Sequence, residues 1–160
     1  MTEVESKIKA LKVVGWREYV GLPELGLGLV KAKVDTGART SALHAINIRY
    51  TVKAGKTWVK FDVHPLQRTT KQVVVCEAPL IEERFVRDSG GKTSLRPVIE
   101  TTVVIKGRAM RVELTLIARS TMGFRMLIGR QALRGRFMVD AGRSYLGGKK
   151  KSLKPKAKAT

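Results

Sequence analysis

Leu29-Val-Lys-Ala-Lys-Val34-Asp35-Thr36-Gly37-Ala38 is the stretch on which the reading of this chain turns. The first six residues read as a β-strand that runs straight into an aspartate. A carboxylate at the end of a rigid strand has a fixed position, and the residues after Asp35 suit such a site. Thr36 offers a hydroxyl to tie down the loop. Gly37 permits a tight turn that a side chain would obstruct, and Ala38 leaves the approach to a substrate backbone uncluttered. A bare Asp-Thr-Gly is weak alone, because the same three residues also make an ordinary Asx turn.

Outward from it the chain alternates short apolar runs with turn residues. Strands are predicted over Val13–Leu22, Leu29–Val34, His44–Val52, Thr57–His64, Lys71–Pro79, Ile81–Arg87, Leu95–Ile105, Met110–Ile117, Met126–Ile128 and Phe137–Val139. Turn signals separate them at Pro23-Glu24, Lys53-Ala54-Gly55, Asp88-Ser89-Gly90-Gly91 and Lys106-Gly107. Gly129 to Gly135 suits a short helix. The pattern is all-β, a barrel or sandwich, without an internal repeat long enough for a duplicated lobe. The expected organisation is a polar lead-in over 1–12, a domain over 13–146 and a disordered lysine-rich tail over 147–160.

A second element strengthens the first. Met126-Leu127-Ile128-Gly129-Arg130 resembles the apolar-apolar-Gly element with which aspartic peptidases pass a strand beneath the aspartate loop, and a helix follows it in those enzymes too. Longer matches extend the likeness. Gly15-Trp-Arg-Glu-Tyr19, Lys31-Ala-Lys-Val-Asp-Thr-Gly-Ala-Arg-Thr-Ser-Ala-Leu-His44, Val63-His-Pro-Leu-Gln67, Met122-Gly-Phe-Arg-Met-Leu-Ile-Gly-Arg130 and Leu133-Arg-Gly-Arg-Phe137 carry it. Over about Val13 to Leu146 the chain resembles the RimB-like, retropepsin-like family long labelled "ATP-dependent zinc protease", which is associated with RimK-type ribosomal-protein glutamate ligases. The resemblance implies a closed retropepsin-like β-barrel with one short C-terminal helix and an aspartic peptidase activity. It implies Asp35, Thr36 and Gly37 as the catalytic loop, with Leu127, Ile128, Gly129 and Arg130 supporting it.

Neither half of that label finds its chemistry in the residues. Hydrolytic zinc takes three protein ligands and an open position for water. The chain has two histidines, one cysteine and no His-Glu-x-x-His. His44 reads as a structural residue near the aspartate loop, and His64 as a strand-end residue before Pro65. Gly91-Lys92-Thr93 ends like a phosphate loop, but Val86 stands where the first glycine belongs. No metal and no cofactor is expected.

Aspartic peptidases need two carboxylates sharing a proton, and only one convincing Asp-Thr-Gly is present. Val139-Asp140-Ala-Gly142 echoes it superficially, eleven residues after Gly129, with no room for a second lobe. A homodimer with one Asp35 from each subunit at the axis is the economical solution. The loop Asp88-Ser-Gly-Gly-Lys92 is a candidate flap over the substrate, with Lys53-Ala-Gly55 as the alternative. Ala38, Arg39, Gly90 and Gly91 are the expected substrate contacts.

Arg39 departs from the retropepsin pattern, where an acidic residue at that position pairs with the arginine after the apolar-Gly element. Arg130 must then find another acid, Asp62, Glu113 or Asp140, and Arg39 becomes free to face the cleft. The chain's charge points the same way. Thirty-two Lys and Arg face thirteen acids, for a net +19, and the tail's six lysines account for less than a third of it, leaving +13 on the body. Such an excess favours an anionic partner, here an acidic peptide such as a glutamylated ribosomal protein. The competing reading is a non-catalytic module that docks on ribosome or RNA through its basic surface and lysine tail, although only 6% of residues are aromatic. A single cysteine, no apolar run of membrane length and a polar, acidic start predict a cytoplasmic protein that does not enter a membrane.

Overall fold

A computed structural model describes residues 2–66, 69–118 and 123–149. Gln67 and Met122 of the quoted motifs, and the tail from residue 150, lie outside the described residues. Among the described residues, eleven strands and two α-helices follow in the order α1 (Glu3–Ala10), β1 (Lys12–Leu22), β2 (Leu27–Val34), β3 (Ser41–His44), β4 (Ile46–Lys53), β5 (Lys56–Val63), β6 (Val74–Pro79), β7 (Glu82–Arg87), β8 (Thr93–Ile105), β9 (Arg108–Ile117), β10 (Met126–Ile128), α2 (Arg130–Leu133) and β11 (Phe137–Ser144). A single 3-10 turn, Pro23–Leu25, joins β1 to β2.

Eight strands form one mixed sheet in the order β11-β1-β2-β10-β3-β9-β8-β7, and β4-β5-β6 form a separate antiparallel sheet. The all-β expectation comes out as a mostly-β fold, with an N-terminal helix besides the short one after β10. Instead of a simple closed barrel, the large sheet curls until β1 also meets β8 over two residue pairs, Val20 with Ile105 and Gly21 with Val104. Alternation along β2 explains its place: Val30, Ala32 and Val34 are buried, whereas Lys31 and Lys33 lie on the opposite face. Phe61, Leu43, Ile99, Leu114, Met126 and Ile128 are among the fully buried side chains that fill the space between the layers. Full burial of one such side chain contributes about 1.5–3 kcal/mol.

Two predicted strands come out differently. The strand predicted over His44–Val52 matches β4 from Ile46, but its first residue, His44, is the end of β3, whose Ser41 to Leu43 were not predicted as strand. β3 runs parallel to β9 in the large sheet, whereas β4 pairs with β5 in the small one. The chain changes sheets at Ala45, whose N–H donates to the Ile117 carbonyl, and Asn47 then adopts φ 53° beside an irregularity in the β4–β5 register. The strand predicted over Phe137–Val139 continues to Ser144, because β11 lies parallel to β1 and pairs as far as Arg17 with Ser144. The polar lead-in is a helix with Glu3 and Glu5 in its first turn, where carboxylates complement the helix dipole.

Structure also extends past the boundary drawn at residue 146. Gly147 is buried, and its N–H reaches Glu18.

Candidate active site

The aspartate loop owes its shape to three strands. β10 is inserted between β2, to which it runs parallel, and β3, to which it runs antiparallel. The loop 35–40 therefore leaves β2, arches over the end of β10 and returns as β3. Backbone bonds stitch it down: Asp35 N–H to the Ile128 carbonyl at 2.9 Å, Arg130 N–H to the Ala38 carbonyl at 2.7 Å, and Gln131 N–H to the Arg39 carbonyl at 3.1 Å.

Gly129 is obligatory at the crossing. A Cβ there would stand 2.6 Å from the Thr40 carbonyl carbon and oxygen. Gly37 is needed for closeness and not for an unusual φ, since a Cβ on it would sit 3.1 Å from Asp35 Oδ1. Its N–H instead donates to that oxygen at 2.9 Å, which fixes the carboxylate from within its own loop.

The work assigned to the Thr36 hydroxyl falls to another residue. Thr36 is exposed, and its carbonyl, not its side chain, ties the loop down by accepting a bond from Arg130 Nη1 at 2.9 Å. The anchoring hydroxyl is Ser41, fully buried, whose Oγ accepts the Gly129 N–H at 2.9 Å. Arg130 thus takes a backbone carbonyl in place of the acid expected for it. The three proposed acids are engaged elsewhere: Asp62 by Asn47 and Arg49, Glu113 by Arg84, and Asp140 by the Gly142 N–H. Asp140 repeats the short Asx geometry of Asp35 on β11, across β1 and β2 from the loop.

Asp35 opens onto a cleft of about 1260 Å³. Gly37, Ala38, Arg39 and Leu127 line it beside the aspartate, and the β7–β8 hairpin lines the other side with Arg84 to Ser89. Of the two candidate flaps, the hairpin carrying Asp88 is therefore the one at the cleft. Gly90 and Gly91, expected as substrate contacts, do not line it; they shape the tip. Gly91 has φ 87°, and Asp88 Oδ1 accepts the N–H groups of Gly90 and Lys92 at 2.9 Å each. Ile128, Gly129 and Arg130 act from below, as support.

The charge in the cleft is mixed, with an excess of cations. Arg84 is held by Glu82 and Glu113. The buried Arg96 reaches Ser94 Oγ at 3.1 Å and Thr115 Oγ1 at 3.5 Å. Lys33, Arg39 and Arg87 also line the cleft, and none of the three stands in an ion pair among the described residues. Sequence reasoning assigned no role to Trp16, Lys33, Arg84, Arg96 or Phe124. Trp16 packs edge-on against Phe124 at 6.1 Å to wall the cleft. Its place in the matched Gly15-Trp motif was the available signal.

The donor sets do not fit zinc. No group of three His, Cys, Asp or Glu side chains suited to a metal exists among the described residues. His64 Nδ1 lies 3.1 Å from the Gln72 carbonyl. Burial, with a contribution from the Asp62 charge, pushes the Cys76 thiol up to about 12, and its Sγ sits against the Leu25 carbonyl. His44 is buried with neither ring nitrogen hydrogen-bonded. It lies at the β3 end leading away from the aspartate loop, as a core residue. No helix among the described residues is long and apolar enough to cross a membrane.

Two bacterial proteins named "Probable alpha-L-glutamate ligase" are similar: one from Shewanella pealeana, 40% identical over 88% of this chain, and one from Desulfotalea psychrophila, 43% identical over 82%. The chain spans under a third of their length, 31% and 28%. A crystal structure of a Legionella pneumophila protein of unknown function shares the fold, with a TM-score of 0.71 and 23% identity over 85% of this chain and 98% of that one. The model of the retropepsin-like aspartic endopeptidase RimB matches residues 13–150. With the β2–β10–β3 crossing beneath Asp35, that match makes the chain a member of the RimB-like family of retropepsin-like aspartic endopeptidases.

Proposed function

We propose that the protein is an aspartic peptidase that cleaves acidic peptides, with Asp35 of two copies forming the catalytic pair. The observation that carries this reading is the carboxylate itself. Asp35 is anchored by the Gly37 N–H at the floor of a cleft and faced by a glycine-tipped hairpin. In a dimer the two carboxyls share one proton, because like charges at close range cannot both ionise. The ionised Asp35 takes a proton from a water molecule, whose oxygen attacks the amide carbon. The protonated Asp35 gives its proton to the carbonyl oxygen. When the resulting tetrahedral intermediate collapses, the C–N bond breaks, the proton taken from water passes to the departing amine, and a hydroxyl proton returns to the second Asp35. Closure of the β7–β8 hairpin excludes bulk water.

Two features support the dimer. Thr36 and Gly37 are exposed at the loop tip, where a second copy can meet them. Of the other two Asp-x-Gly runs, Asp140 lies on a strand two removed from β2, and Asp88 shapes the hairpin tip through the N–H groups of Gly90 and Lys92.

The substrate class rests on charge. Lys33, Arg39 and Arg87 give carboxylate side chains counterions in the cleft. Similar proteins are named for glutamate ligation, so a glutamylated protein, such as a ribosomal one, is the concrete form. The test is hydrolysis of glutamate-rich and neutral peptides by wild type and Asp35→Asn. The substitution should lower the rate by roughly 10²–10⁴-fold or more. Equal cleavage of acidic and neutral peptides would remove the substrate assignment, and undiminished hydrolysis by Asp35→Asn would remove the mechanism.

A further inference from the structure

The outer face of β1 and β2 is built against its own electrostatics. Glu18 and Val20 of β1 and Val30, Ala32 and Val34 of β2 are buried, which puts Arg17, Tyr19, Lys31 and Lys33 on the other face. There the register sets Arg17 opposite Lys33 and Tyr19 opposite Lys31. Like charges directly across a ladder repel. Among the described residues no carboxylate forms an ion pair with Arg17, Lys31 or Lys33. Sequence alternation made room for acids here, and the face has none.

The segment after β11 is held over this face. The fully buried Glu18 carboxylate accepts the N–H groups of Gly15, Leu146 and Gly147 at 2.7, 3.0 and 3.0 Å. That grip sets the Tyr145 ring on Tyr19, centroids 4.5 Å apart, and Arg17 lies 5.0 Å from the Tyr145 ring and 4.5 Å from the Trp16 ring. Lys149 approaches Tyr19 at 5.3 Å and adds another cation. Rings that hold guanidinium and ammonium groups in fixed positions keep those charges ordered before a ligand arrives.

Lys33 belongs both to this face and to the lining of the cleft, which Trp16, beneath the Arg17 guanidinium, also lines. The row of cations therefore leads directly to Asp35, two residues beyond Lys33.

We propose that the face formed by Arg17, Lys31, Lys33 and Lys149 is a docking rail for the acidic stretch of a peptide whose scissile bond lies at Asp35. This rests on the peptidase reading and adds where the rest of the substrate goes. Carboxylate side chains of an extended chain match ordered cations on a strand face, and the occupant is an acidic peptide and not RNA for a geometric reason. Base stacking needs open aromatic faces, whereas Tyr19 and Tyr145 stack on each other and carry cations beside them.

The test is calorimetric titration of the full chain carrying Asp35→Asn with oligoglutamate peptides of increasing length, at low and high salt. Affinity should rise with length by about tenfold before levelling off, the rise shrinking in high salt. Lys31→Glu should abolish the rise, Lys31→Arg should preserve it, and Lys149→Glu, outside the sheet, should weaken it without touching strand pairing. Affinity independent of length, or a rise that survives both charge reversals, would overturn the rail. So would a single-stranded RNA that displaces the longest peptide and binds more tightly than it. A wild type that shows the length dependence yet hydrolyses no peptide would sink the peptidase reading while leaving the binding face. Cleavage without length dependence would sink the rail alone.

Discussion

Glu18 and Gly129 are single residues on which distant parts of the chain depend. Glu18 is fully buried, and its two oxygens satisfy three backbone N–H groups, two of them about 130 positions away. Removing the carboxylate leaves those donors unpaired in the interior, which costs about 1–3 kcal/mol per group. Glu18→Ala should therefore lower stability by roughly 3 kcal/mol or more in denaturant unfolding. It should also release the Tyr145 stack, visible as a change in tyrosine fluorescence. Gly129→Ala forces a methyl group to within 2.6 Å of the Thr40 backbone. The loop must move, and the expected result is a loss of about 1–3 kcal/mol together with impaired hydrolysis. At this scale the sequence was legible where chemistry is local. Asp35 and Gly37 interact with each other two positions apart, and both were identified. The partners of Arg130, Gly129 and Glu18 lie 94, 88 and up to 129 positions away, so Ser41 was overlooked, Thr36 was given its task, and Arg130 was assigned an acid it does not use.

Among the elements, β3 and its continuation were the hardest to foresee. The strand predicted from His44 leaves out Ser41 to Leu43, and only pairing reveals that His44 closes a strand against β9 while Ile46 opens one against β5. β11 was cut short because Asp140-Ala-Gly142 carries turn residues, and its parallel pairing with β1 overrides them. β10 and α2 were legible, since Leu-Ile-Gly-Arg fixes both the crossing and the stop. The end of β3 has a measurable pH consequence. Burial above all, then the nearby charges of Arg125 and His64, hold His44 below the ordinary histidine value. A depressed folded pKa means that the unfolded chain takes up the proton first. The stabilisation is complete above the unfolded value near 6.5 and is lost as pH falls through that value toward the folded one. The melting temperature should fall as pH drops from 7.5 toward 5, before carboxylates titrate. His44→Leu should flatten that part of the profile, and an unchanged slope in the variant would assign the loss to other groups.

For the whole molecule, charge and symmetry pull in opposite directions. A body at +13 repels a second copy of itself, yet the proposed mechanism needs two Asp35 loops in contact. The excess charge was plain in the composition, while its distribution, with cations in the cleft and along β1 and β2 that stand in no ion pair among the described residues, needed the fold. Such repulsion would weaken the proposed dimer at low salt, and an acidic peptide lying across the cationic cleft would relieve it. Activity per subunit should therefore fall on dilution, steeply once the concentration drops below the dimer dissociation constant. An oligoglutamate peptide should shift that midpoint to lower protein concentration. Analytical ultracentrifugation of Asp35→Asn with and without peptide gives the mass, and dilution assays of wild type give the activity. Mixing wild type with excess Asp35→Asn tests the pair directly. If the two carboxylates come from different subunits, the inactive chains capture active ones, and the rate falls below what the wild-type amount alone delivers. A rate unaffected by the mixture, from a protein whose mass is that of one chain, would show that a single Asp35 suffices.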